Sequence, residues 1–126
     1  MAGTDQASAD NGDVPIPVPS GQKVTLLETI WNERGPGGLA IRFRFLAPAI
    51  SKETGTITSD QAEADMMALC RDYALTRIGD ATGPTPGQII ISLSDRPLPF
   101  GESHPEATQF FNSYDLTDGD CVWSLF

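Results

Sequence analysis

Hydrophobic and polar positions alternate most clearly over residues 39–46. There Leu39, Ile41, Phe43 and Phe45 fall on one parity, and Ala40, Arg42, Arg44 and Leu46 on the other. A period of two marks a strand with one face on a core. The two arginines turn the second face toward solvent, and Pro48 ends the strand. Upstream, residues 23–31 also read as a strand. Val24, Leu26 and Ile30 share one parity, Thr25, Leu27, Thr29 and Trp31 the other, so both faces carry apolar groups and a bulge or two-sided burial is expected. Gly35-Pro36-Gly37-Gly38 lies between these strands as a turn, which makes them a hairpin.

The period changes at residues 58–78. Ala62, Met66, Leu69, Cys70, Tyr73 and Arg77 follow helical spacing, with Ala74 and Ile78 beside them. Thr58 with Gln61, or Asp60 with Glu63, forms a capping box at the start. Acidic residues crowd the first turns and Arg71 and Arg77 come later, which suits the helix dipole. Residues 83–87 are a Pro/Gly loop, and residues 88–94 a strand with Ile89, Ile91 and Leu93 on one face. Residues 94–104 form a long shaped loop. Ser103, Pro105 and Glu106 then signal a short helix over residues 103–111. The tail reads as a second hairpin around Asp118-Gly119, with Cys121, Trp123 and Leu125 on one face. The predicted class is α+β: an antiparallel sheet of about four to five strands with one main helix on one face, in the order β-β-α-β-(α)-β-β.

Ahead of these elements, residues 1–13 are polar and poor in core formers, which predicts disorder. Residues 14–19 alternate proline with Val and Ile, an extended spacer. We therefore divide the chain into a disordered leader with its proline-rich spacer, residues 1–17, and a single α+β domain, residues 18–126.

Composition narrows the function classes. The 126 residues include 17 acidic and 8 basic side chains, for a net charge of −9. Such a surface repels phosphate backbones and anionic lipid, so nucleic acid is not an expected partner. No run reaches the ~20 apolar residues of a membrane span. Residues 1–13 lack the basic and apolar regions of a signal peptide, though a chain whose signal had been replaced by Met would look the same.

Two cysteines, Cys70 and Cys121, are far apart in sequence and share the chain with one histidine, too few ligands of this kind for a zinc site. Cys70 sits on the helix stripe and Cys121 on an apolar strand face. If those surfaces meet, the sulfurs form a disulfide; otherwise they are two buried thiols or include one reactive thiol. The single histidine, His104, lies near Asp95 and Glu102, the ingredients of acid/base chemistry without a nucleophile-elbow pattern. Asp95, Arg96, Phe100 and Phe110 combine charge and aromatic groups around the long loop and form the candidate binding surface. Arg42 and Arg44 are the alternative, with cross-strand pairing to Glu28 as their structural role. Asp115, Asp118 and Asp120 lack the twelve-residue pattern of a calcium loop and read as turn residues. The glycine-rich turn has no lysine and no strand-to-helix setting, so no cofactor and no metal is expected.

The stretches VPSGQ (18–22), IRFRF (41–45), LCRDY (69–73), ISLSDRP (91–97), PEATQFF (105–111) and DCVW (120–123) together resemble an uncharacterised family of small alphaproteobacterial proteins, over residues 18–126. The resemblance carries no catalytic residues. Its members often have an export signal, which implies a periplasmic setting and fits a Cys70–Cys121 bridge; without a removed signal the setting is the cytoplasm. Some members bear an acetolactate synthase label. That enzyme holds thiamine diphosphate through separate large domains, for which one small domain has no room. The expected function is a non-enzymatic binding or accessory protein of the cell envelope with a protein partner. The alternatives are a small acid/base enzyme, hydrolase-like, using His104 with Asp95 or Glu102, and a structural subunit docking by a strand edge or the Trp31 face.

Overall fold

The computed structural model describes residues 14–35, 38–53, 55–80, 86–99, 102 and 104–124. Its strands are β1 (Thr25–Gly35), β2 (Gly38–Leu46), β3 (Gln88–Ser94), β4 (Gln109–Thr117) and β5 (Asp120–Trp123), and they form one sheet in chain order. A single-turn 3-10 helix, Pro48–Ile50, follows β2. The main helix crosses from β2 to β3 in three parts: α1 (Ser59–Ala68), a π-helical turn (Leu69–Ala74) and α2 (Leu75–Asp80).

The alternating strand at residues 39–46 is β2, and it pairs antiparallel with β1, Gly35 opposite Gly38. The apolar groups on both parities of β1 come with register shifts between Leu26 and Glu28 and between Ile30 and Glu33. The sheet is mixed, however, and not purely antiparallel as expected: β2 and β3 run parallel, Ile41 opposite Ile89 and Phe45 opposite Leu93. The cause is the helix. It returns the chain to the starting end of β2 before β3 begins, and a strand entered from that end runs parallel to its neighbour. β3 then pairs antiparallel with β4, and β4 with β5 around Asp118-Gly119. Both turn residues have positive φ, 53° and 76°, the type I′ geometry that Asp-Gly favours.

The predicted short helix at 103–111 is not formed. Residues 104–107 make a turn closed by Ala107 N–H donating to the His104 carbonyl (3.0 Å), with Pro105 at its second position, and β4 begins at Gln109. Cross-strand pairing of Gln109, Phe110 and Phe111 with β3 outweighs the capping signal. The capping box at the main helix is present: Gln61 N–H donates to the Thr58 hydroxyl (3.2 Å) and Thr58 N–H to the Gln61 side-chain carbonyl (2.9 Å).

The core lies between the helix and one face of the sheet. Ile41, Phe43 and Phe45 of β2, Ile89, Ile91 and Leu93 of β3 and Tyr114 of β4 meet Met66, Leu69, Cys70 and Tyr73 of the helix. The Tyr73 ring stands edge-on to Phe43 and Phe45, at 6.1 and 5.6 Å, and the Arg77 guanidinium lies 3.5 Å over its face. In the π turn, Leu75 N–H donates to the Cys70 carbonyl, five residues back. This turn points Cys70 at β5, where its sulfur lies 2.11 Å from that of Cys121, a disulfide between two fully buried residues. Ile16 and Val18 pack against this core, and Ile16 N–H donates to the Val24 carbonyl (2.8 Å).

Candidate functional site

β2 and β3 end side by side, so the segments that leave them meet at one end of the sheet. Ala47 N–H donates to the Ser94 carbonyl (2.7 Å), and Lys52 N–H to the Thr108 hydroxyl (3.2 Å). Asp95 and Arg96 stand at this junction. Arg96 forks onto Asp95, with Nε on Oδ1 and Nη2 on Oδ2, both 3.1 Å. Thr108 N–H donates to the same carboxylate (3.2 Å), and Arg96 Nη2 also donates to the Glu106 carbonyl (3.2 Å). Glu53 lies 3.9 Å from Arg96. The Asp95 side chain is only 2% exposed, and its bond to Arg96 above all holds its carboxyl below the ordinary range against the opposing effect of burial. Each group here ties the loop to a strand end or to its own turn, so the arrangement shapes the loop.

His104 is the weak catalytic candidate, and the structure gives it two carboxylates. Nε2 is 3.0 Å from Glu102 and Nδ1 is 3.2 Å from Glu106. These bonds, Glu102 first, raise its pKa above the usual 6.5. An imidazole gripped on both nitrogens favours its doubly protonated form and leaves no free nitrogen to accept a proton, which is what a general base must do. Of the two carboxylates proposed beside His104, Glu102 lies within hydrogen-bond reach, while Asp95 is engaged by Arg96 and Thr108. Of the binding surface, Phe110 packs against the core and Phe100 lies outside the described residues. The exposed aromatic group is the next one, Phe111, on the opposite face and 66% exposed.

The Arg42–Arg44 stripe also has structural bonds. Arg44 pairs with Glu28, its cross-strand neighbour, and donates to the Leu98 carbonyl (2.6 Å). Together with Leu27, Pro97 and Pro99 these residues line a groove of about 420 Å³ under the loop.

A comparison with sequence profiles of known families matches residues 1–126 to a family of unknown function (DUF6497). The chain belongs to the DUF6497 family. No curated protein and no solved structure matches it. Its family membership therefore brings no activity with it, and the geometry of this DUF6497 chain has to speak for itself.

Among the described residues, the most buried charged group of the DUF6497 chain is one that sequence reasoning passed over. Asp65 sits on the core side of α1 with no exposed surface. Its carboxylate accepts from Ser20 N–H (2.9 Å), the Ser20 hydroxyl (2.5 Å) and Gln22 Nε2 (2.7 Å). The segment it grips turns at Val18–Gly21, where Gly21 N–H donates to the Val18 carbonyl (3.0 Å) and Gly21 has a φ of +80°. The signal was present in the sequence: an acidic residue between Ala62 and Met66 on an apolar stripe needs partners from elsewhere. The three aspartates of the tail do not converge. Asp115 accepts from Gln88 (3.0 Å), and Asp120 from Arg71 (3.0 Å) and Cys121 N–H (2.7 Å). Among the described residues no three His, Cys, Asp or Glu side chains gather as a metal site, and no helix is long and apolar enough to cross a membrane.

Proposed function

We propose that this protein is a non-enzymatic binding or accessory protein of the cell envelope that docks on a protein partner through aromatic side chains standing open on its sheet. One observation carries the reading: Trp31, Phe111 and Trp123 are 46%, 66% and 54% exposed. Large aromatic groups left in water are a cost to a small domain, and they are the residues that dominate protein interfaces. The polar candidates, in contrast, are engaged with one another. An oxidising compartment accords with a disulfide in so small a chain.

The test is site-specific photocrosslinking in cells that make the protein natively. A photoreactive phenylalanine analogue replaces Phe111, Trp31 or Trp123 in turn, with Thr76 on the exposed helix side as control. The expected result is a discrete crosslinked species from at least one aromatic position and none from Thr76. No adduct at any of the three positions, or equal labelling at Thr76, would overturn the reading.

A further inference from the structure

Where the helix flank meets β4 and β5, Glu63, Met67, Asn112, Tyr114 and Trp123 line a notch of about 110 Å³. Its position follows from the fold. Glu63 and Met67 are one helical turn apart and face the same way. Cys121 is bonded to Cys70 on the next turns of the same helix, and Trp123, two residues beyond Cys121, shares its strand face. The disulfide therefore sets the indole against the helix flank. Tyr114 pairs with Trp123 across the strands and forms the buried floor. Its hydroxyl accepts from Asn112 Nδ2 (3.3 Å). Burial first, and the charge of Glu63 as well, push the Tyr114 phenol upward, so the carboxylate's field reaches into the notch.

We infer that this notch docks an arginine side chain of a basic protein partner. The lining selects for it. A flat apolar indole, a thioether beside it and one carboxylate at the rim match a guanidinium that stacks on the ring, pairs with Glu63 and lays its methylene stem over Met67. An anion would meet Glu63 and a net protein charge of −9, whereas the same charge draws a basic segment in. Arg71, one turn beyond Met67 on the same helix flank, is held by Asp120 at 3.0 Å. The inference rests on the binding-protein reading and gives its partner a chemistry.

The experiment uses the whole oxidised chain, labelled with nitrogen-15, whose two tryptophans give two indole N–H signals. Trp31→Phe assigns them. An acetylated glycine peptide with one central arginine is titrated to millimolar concentration, beside the same peptide with citrulline, which keeps the shape and removes the charge. The Trp123 signal should move saturably with arginine, the Trp31 signal should stay, and citrulline should leave both in place. Glu63→Gln, at an exposed position, should keep the thermal midpoint and weaken the arginine response about three- to tenfold. A still Trp123 signal, an equal response to citrulline, or unchanged affinity in Glu63→Gln would overturn the inference. Should that happen while the crosslinks persist, the binding reading stands and only the arginine notch falls. Loss of the crosslinks removes the binding reading itself.

Discussion

Reducing the Cys70–Cys121 bond should remove a large share of the protein's stability. The bond joins positions 51 residues apart. In the chain-entropy treatment, releasing a loop of that size returns about 4 kcal/mol of freedom to the unfolded chain. Domains of this size are stable by only about 5–15 kcal/mol, so the loss is between a quarter and most of the total. At about 3–5 °C per kcal/mol for a chain of this length, the thermal midpoint should drop by about 12–20 °C. The assay is urea unfolding followed by tryptophan fluorescence and circular dichroism, with and without a phosphine reductant, alongside Cys70→Ala/Cys121→Ala. A thiol count in denaturant without reductant comes first and should find no free thiol. The dependence on urea is a second readout. If the bond acts through the unfolded chain, the reduced protein exposes more surface on unfolding and its urea slope becomes steeper. A stability loss below about 1 kcal/mol would refute the entropic argument.

Other perturbations read other parts of the structure. Asp65→Ala leaves two donors of Ser20 and one of Gln22 without their shared acceptor, and should destabilise the protein by about 2–4 kcal/mol in urea unfolding, with amide exchange fastest around Ser20–Gln22. His104 has its folded pKa raised above 6.5 by Glu102 and Glu106, so the stability drawn from this clamp is fully present below the unfolded value and lost as pH rises through the folded one. The midpoint advantage of wild type over His104→Gln should therefore be larger near pH 6 than near pH 9 (a range around the free imidazole value), and an advantage that is the same at both would count against it. Gly55→Ala would push a Cβ into the backbone oxygens of Ser51 and Ala49, and a drop of about 1–3 kcal/mol in unfolding free energy is expected, with a neutral result ruling out the close approach.

Elements written in short-range pattern are legible in the residues alone. Thr58 and Gln61 announce the helix start, Asp118-Gly119 the last turn, and the alternation from Ile41 to Phe45 the strand whose apolar side makes the core, although Leu39 is exposed and Arg44, expected in solvent, is buried beside Glu28 and Leu98. Placing Cys70 and Cys121 on apolar faces makes their meeting possible, and the structure joins them. The parallel pairing of β2 with β3 is less open, because direction depends on where the helix delivers the chain. A hint lies in Ile89-Ile90-Ile91: apolar residues on both parities mark a strand covered on two sides, and Ile90 is indeed buried with Ile89 and Ile91. Around the loop, Asp95 and Arg96 are neighbours and their fork is local, but Thr108 and Glu106 reach it only because β4 folds back beside β3. The same return decides that Phe110 faces the core and Phe111 the solvent, a choice that turns on a register no local signal supplies.

Chain order and sheet order coincide, from β1 through to β5. Each new strand therefore lands beside the one made just before it, and the sheet extends from one side only. A chain leaving a ribosome or a translocation pore in this direction never has to open a finished pairing to admit a later strand. The one long wait is for β3, which must follow the whole helix, so the collapse of that helix onto the first hairpin is the natural slow step. The bond between Cys70 and Cys121 joins the middle of that helix to the last strand, so it ties an element made midway to the one made at the end. Its burial against the core thus requires that the last strand has joined the sheet.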